Sequence, residues 1–419
     1  MIQIDRPGFF PYYTLFFFTL ITKQMMAEYI QSTNKKIIFA LTLVHFMGDF
    51  YSSFIMPLLP AFVDKLSLSM VQVGVITGTI RFLAFIVQPS VGYFADRHET
   101  RSFALGGLLL TVLFVPLAGI APTFLVLTLF LAVGSVGSSM FHPSVTGMVP
   151  VYGGQHAGFS MSIFNTGGTL AFGAGPLFIT WFVARFGLSA MPATMLIGLV
   201  TLIFLYHVLP VPEAADLNDN GFIGSLRQTL GKVWQSILLI WLVMVLRAVV
   251  GQSFLTFTPI YLAYKGYSLM SVGFVIAIFV VAGTISGLFA GFLADRSGYK
   301  PIFYVSHGLM APALVLLLFS PGLWVFIGAF VAGFFVLASL PVGVVMAQAL
   351  APGGKSMVAS LMMGFAYGLG GVFSPVVGKL ADIFSIHTVL LWVAFVPLVT
   401  LAMIFFFPDV GGKNNHQSP

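Results

Sequence analysis

Twelve long apolar runs, separated by short polar loops, organise this chain. They fall at 37–60, 69–94, 102–121, 123–149, 156–184, 189–209, 233–263, 269–293, 301–320, 322–350, 354–383 and 386–407. Each is about the length needed to cross a bilayer core as a helix, which takes about 20 apolar residues. The only long polar gap, 210–232, divides these spans six and six. The pattern predicts an all-α integral membrane protein with twelve transmembrane helices in two six-helix bundles, 37–209 and 233–407. An N-terminal extension covers 1–36, a cytoplasmic linker 210–232 and a tail 408–419. The runs are numbered spans 1 to 12 below. The stretch 9–22 is apolar but too short to cross, and Pro11 sits near its start. It reads as an interfacial or disordered extension, and Met25 or Met26 is a candidate alternative start.

Composition sharpens the class. Of 419 residues, 58% are hydrophobic and 7% charged, against about 25% charged in a soluble domain. Mean hydropathy is +1.02. These values exclude a soluble enzyme, a nucleic-acid binder and a disordered chain, because so much apolar surface cannot be hidden inside one globule. The 44 Gly and 23 Pro lie largely within apolar runs, as in lipid-buried helices that pack through small residues. The chain has no cysteine, so disulfides and thiolate metal sites are excluded. The net charge of +6 reads as basic loops facing an anionic leaflet. With both termini cytoplasmic, twelve Lys and Arg fall inside and four outside; Arg81 and Arg247 fall within spans. That bias predicts that both ends lie in the cytoplasm.

The halves repeat. GYFADRHETR at 92–101 mirrors GFLADRSGYK at 291–300, and Asp96 and Asp295 lie 199 positions apart. Gly74 and Gly273, Pro60 and Pro259, and Pro176 and Pro375 share that offset. One offset at four landmarks predicts two pseudo-symmetric bundles with a substrate site near midplane between them. In the repeated loops, Asp96 and Asp295 can cap a neighbouring helix N-terminus, with Arg97, Arg101, Arg296 and Lys300 as bridging bases. Such breakable caps would serve as gate latches. These loops resemble the G-x-L-A-D-R-x-G-R/K signature of the major facilitator superfamily, differing at Glu99. The resemblance covers 37–407 and implies secondary-active transport by alternating access.

Small residues concentrate in span 5 (Gly167, Gly168, Gly173, Gly175, Pro176) and span 11 (Gly364, Gly368, Gly370, Gly371, Pro375). They predict close helix packing and bends. Within the superfamily, a Gly-rich fifth helix ending in Gly-Pro is similar to the exporter signature. Leu43–Asp49 (LVHFMGD), Gly137–Pro143 (GSSMFHP), Gln155-His156-Ala157 and Gly364–Gly371 (GFAYGLGG) resemble the fosmidomycin resistance proteins, a bacterial drug-efflux family. Ser144 and Gly147 stand where that family usually carries an acid and a base.

Three charges fall near mid-span: Asp49 in span 1, Arg81 in span 2 and Arg247 in span 7. Each costs on the order of 3 kcal/mol at a helix centre, so each is a candidate for the pathway. The offset places Asp49 opposite position 248, beside Arg247, and His45 shares the face of Asp49 one turn away. Arg81 and Arg247, with His45 and His142, are the candidate substrate contacts. Two guanidinium groups suit a phosphonate, phosphate or carboxylate. Asp49 is the candidate proton-coupling residue. His207 and His307 read as packing groups. Phe50, Tyr51, Phe254, Tyr261 and Tyr367 read first as core or lipid contacts. The expected activity is efflux of a small, anionic, drug-like compound by a monomer contacting membrane lipids. Proton-coupled uptake of an anionic metabolite is the alternative, and a receptor or enzyme fits less well. No cofactor, metal or nucleic acid is expected.

Overall fold

A computed structural model describes residues 34–95, 100–211, 231–351, 358 and 361–410. Residues 1–33, the gate residues Asp96 and Arg97, most of the linker and the end of the tail lie outside the described residues. The fold is helical, because a backbone crossing hydrocarbon must satisfy its polar groups within itself. Among the described residues, eleven helices are long and apolar enough to cross a membrane. They run Lys35–Leu66, Met70–Gln88, Thr100–Ile120, Phe124–Gly153, Gly158–Phe186, Leu188–Val208, Trp234–Tyr264, Leu269–Ser297, Tyr299–Phe319, Trp324–Leu350 and Ile386–Phe405. They correspond to spans 1 to 10 and 12. Leu196, Leu288, Val399 and Phe405 are among many large apolar side chains left exposed on the helices. In water such a surface would drive association; against lipid it is the expected exterior.

Span 11 is broken into a π-helical turn at Leu361–Phe365, a helix at Ala366–Val372 and a second at Ser374–Phe384. Pro375 near the start of the last piece cannot donate the hydrogen bond that would continue the helix. Span 1 breaks similarly, into Lys35–Ser52 and Ile55–Leu66. Pro57 lacks the N–H that would bond the Ser53 carbonyl one turn back. The second piece carries span 1 to Leu66, beyond the expected end at 60.

The repeat is visible in three dimensions. Lys65 donates to the Gly119 carbonyl (2.8 Å), and Lys265 to the Leu318 carbonyl (3.3 Å), in matching places of the two halves. At the other end Arg101 lies over the Tyr206 ring and donates to that residue's carbonyl. Lys300 lies near the Phe405 ring and donates to the Phe407 carbonyl (3.1 Å). Arg101 and Lys300 are thus engaged by the last span of their own half. Asp295 is exposed, and Arg296 stacks on Phe292.

The halves meet along two seams, span 2 against span 11 and span 5 against span 8. At the end bearing Lys65 and Lys265, a Cβ on Gly74 would lie 2.7 Å from Pro375 Cα, and one on Gly273 2.9 Å from the Pro176 carbonyl oxygen. Only glycine permits these approaches. At the opposite end, Gly158 of span 5 and Gly291 of span 8 have open space where a Cβ would stand. The second seam is therefore tight at one end and loose at the other.

Candidate functional site

The site begins with helical spacing. His45 and Asp49 stand four residues apart on the first piece of span 1, so their side chains share one face. Asp49 is only 3% exposed. His45 Nε2 lies 3.1 Å from Asp49 Oδ2. Span 4 supplies the other side: His142 Nε2 lies 3.0 Å from Asp49 Oδ1, and the two imidazoles meet edge to face at 5.2 Å. Gly48 admits the approach, because a Cβ there would occupy the Phe141 ring.

Each imidazole is oriented from behind. His45 Nδ1 is 2.9 Å from the Phe164 carbonyl of span 5, and its ring stacks on Phe164. His142 Nδ1 is 2.8 Å from the Ser138 carbonyl, and its ring stacks on Phe141. A carbonyl only accepts, so both Nδ1 atoms carry the hydrogen. A neutral ring of that tautomer presents a bare lone pair at Nε2. Both lone pairs would then point at a carboxylate, which repels them. The cluster holds together when two protons are shared among the three side chains. Gly168 completes the wall: a Cβ there would lie 2.7 Å from His45 Nε2 and 2.8 Å from Asp49 Oδ2.

The other candidate residues separate into distinct places. Arg81 Nε donates to Gln252 Oε1 at 3.1 Å, which joins span 2 of one half to span 7 of the other. Gln252 is 1% exposed. Gly371 lets the Arg81 stem lie against span 11, since a Cβ would collide with Arg81 Cβ and Cγ. Arg247 is 2% exposed and donates to the Val336 carbonyl of span 10 at 3.2 Å. It is thus packed within its own half. Gly167 abuts Thr42, Gly175 abuts Ser53 and the Phe50 carbonyl, and Gly173 faces Val281 across a seam. Gly368 abuts Phe85, and Gly370 abuts Ala248. Tyr51 and Tyr261 are structural, with hydroxyls bonded to the carbonyls of Thr194 and Leu318.

Sequence reasoning brought His45 and Asp49 together but assigned His142 no such partner. The gap of 93 positions between Asp49 and His142 leaves no local signal. Gln252 was missed as well, although an amide deep inside an apolar run, one turn beyond position 248, was a usable sign.

The model of the Major Facilitator Superfamily matches residues 39–352 and 266–419. The chain is 29% identical over 394 residues to the fosmidomycin resistance protein of Escherichia coli (strain K12), covering 92% of this chain and 95% of that one. It is 24% identical over 280 residues to the quinolone resistance protein NorA of Staphylococcus aureus (strain MRSA252), covering 64% and 70%. In three dimensions it is similar to a bacterial homologue of the human lysosomal transporter Spinster in an inward-facing, unoccupied conformation. The TM-score is 0.78 at 16% identity, over 88% of this chain and 96% of that one. Two six-span halves, two glycine-lined seams and a family match over nearly the whole chain agree: this multi-pass membrane protein belongs to the major facilitator superfamily of transporters.

Proposed function

We propose that the protein exports a small anionic compound across the bacterial inner membrane by alternating access, with both termini cytoplasmic. The observation that carries this reading is the Arg81–Gln252 hydrogen bond, a mid-membrane guanidinium held across the two halves. A fixed, half-buried cation between moving bodies is where an oxyanion would bind and where its binding would alter the contact between them. Arg247 lies behind as a second positive centre and His45–Asp49–His142 as the coupling group; proton loss from that cluster would break one of its two contacts. The efflux relatives support the outward direction. With the basic ends inside, the tight seam end faces out and the loose end faces the cytoplasm, a state that loads from within. Asp295, exposed at that end, is then a latch released in this state.

Expressing and non-expressing cells should differ in susceptibility to phosphonates, fosmidomycin included, and purified protein in liposomes should catalyse counterflow of the same compound. Arg81→Gln should abolish both at normal protein yield. Protection confined to cationic or neutral drugs would overturn the anionic reading. A second reading, proton-coupled uptake of an anionic metabolite, is favoured by the net positive charge of a fully protonated cluster, which helps an anion bind. Acceleration of uptake by an inward proton gradient would decide for it.

A further inference from the structure

Two imidazole nitrogens and a carboxylate, converging from two spans on one buried point, form a donor set with a second use. One ring nitrogen of His45, one of His142 and one Asp49 oxygen all lie within 4.8 Å of one another. The nitrogen–oxygen separations are 3.1 and 3.0 Å. In a tetrahedral site with bonds of about 2.0–2.1 Å the edges measure about 3.3–3.4 Å. The two gaps, one to each carboxylate oxygen, fall a few tenths of an ångström short of that edge, and the remaining separations, at most 4.8 Å, must close to it by side-chain rotation.

We propose that His45, Asp49 and His142 form a transition-metal site of the Zn²⁺ class, with Nε2, carboxylate oxygen and Nε2 as ligands and one position left for water or an anion. The surroundings fit. Ligating histidines typically donate their other ring N–H to a backbone carbonyl, which fixes the tautomer and raises the basicity of the ligand nitrogen. Both rings do so, to Phe164 and Ser138. The required tautomer is thus the one the fold already imposes. Both rings are also clamped by stacking. Imidazole and carboxylate together suit zinc, nickel or cobalt rather than magnesium or calcium, which take oxygen ligands. Charge balances too: a divalent ion replaces the two shared protons at equal net charge. Access exists from one side, where the His142 side chain is 29% exposed while that of Asp49 is 4% exposed. The structure thus offers a place where an external ion can lock the three groups together. Zn²⁺ bound there would hold span 1 against span 4 and inhibit transport.

Purified full-length protein, free of affinity tags, is titrated with Co²⁺, whose visible absorption distinguishes four-coordinate from six-coordinate sites. One equivalent should give an intense four-coordinate band, displaced by Zn²⁺. His142→Gln should remove the band and weaken Zn²⁺ binding by more than the ~10–100-fold that a lost outer-shell partner costs. His387→Gln, outside this cluster, should leave both unchanged. X-ray absorption on the zinc-loaded wild type needs no variant and should show two imidazoles and at least one oxygen. A weak six-coordinate cobalt spectrum, a band that survives His142→Gln, or a zinc shell without two imidazoles would each overturn the site. Metal binding does not depend on substrate or direction. Binding without anion transport would refute only the proposed function, and transport without binding would refute only this inference.

Discussion

Asp382 and Met70, 312 positions apart and in opposite halves, are joined by a helix cap. One Asp382 oxygen accepts from Met70 N at 2.7 Å, and the other accepts from Val71 N at 2.9 Å. The carboxylate at the end of span 11 thus closes the first turn of span 2, where the helix dipole is positive. The equivalent place in the other seam is Val183; each span also has a serine cap of its own, Ser69 on Gln72 N and Ser268 on Ser271 N, so Asp382 is an addition to span 2 alone. Among the described residues, the tight end therefore carries this charged clasp on the seam of spans 2 and 11 and no equivalent at Val183. Removing it by Asp382→Ala should weaken that contact by about 1 kcal/mol, shifting the conformational equilibrium about fivefold toward opening at this end. The chain has no native cysteine, so single cysteines introduced beside Ser374 would report the change as faster labelling. Labelling at the wild-type rate would remove Asp382 from the gate.

Gly168→Ala should fail while Gly173→Ala should not. The first Cβ would strike His45 and Asp49, and the second meets only Val281 at 3.2 Å. Overpacking of the first kind costs about 1–3 kcal/mol. The expected result is transport lost or strongly reduced at position 168 and near normal at 173, compared at matched expression in the same liposome assay.

Asp49→Asn is nearly isosteric and cannot gain or lose a proton in this range. The variant should still exchange substrate across the membrane but lose acceleration by a pH gradient. Wild-type pH dependence in a well-folded Asp49→Asn protein would take this residue out of coupling. Arg247→Gln should behave differently, because that guanidinium is buried in its own half. Removing it leaves the Val336 carbonyl without this donor, and thermal stability should fall by about 1–3 kcal/mol.

Gln252→Glu would set a carboxylate beside the Arg81 guanidinium. The resulting pair would neutralise the cation facing an incoming anion. Phosphonate counterflow should show a KM raised at least ~10-fold, with Gln252→Met, which keeps the length but not the hydrogen bond, affected less. An unchanged KM in Gln252→Glu would place the anion site elsewhere.

Much of the fold was legible because lipid imposes a simple rule: about 20 apolar residues per crossing, with basic residues gathered on one side. The 199-position repeat then supplied the bundle architecture. The helix breaks at Ser53–Phe54 and within 361–375 were harder to read, because proline occurs inside many unbroken helices here, as at Pro143 and Pro341. At the site, His45 and Asp49 were readable from their i, i+4 spacing. Their convergence with His142 was not, since it depends on how span 4 packs against span 1. Arg81 and Arg247 look alike in sequence. Their different settings, one bridging the halves and one buried inside its own, arise from tertiary neighbours such as Gln252 and Val336.

The crossing contacts at the seams obey a twofold symmetry. Position 74 in one half corresponds to 273 in the other, and 176 to 375. Gly74 meets Pro375, and Gly273 meets Pro176. Each half therefore presents the same two surfaces, and each surface receives its complement from the other half. That is the rule of an isologous twofold interface. The contacts are those that two copies of a single six-helix unit would make across a twofold axis, here carried within one polypeptide. Asp382, with no acidic twin at Val183, marks a place where the twofold rule is broken and the two surfaces are no longer interchangeable.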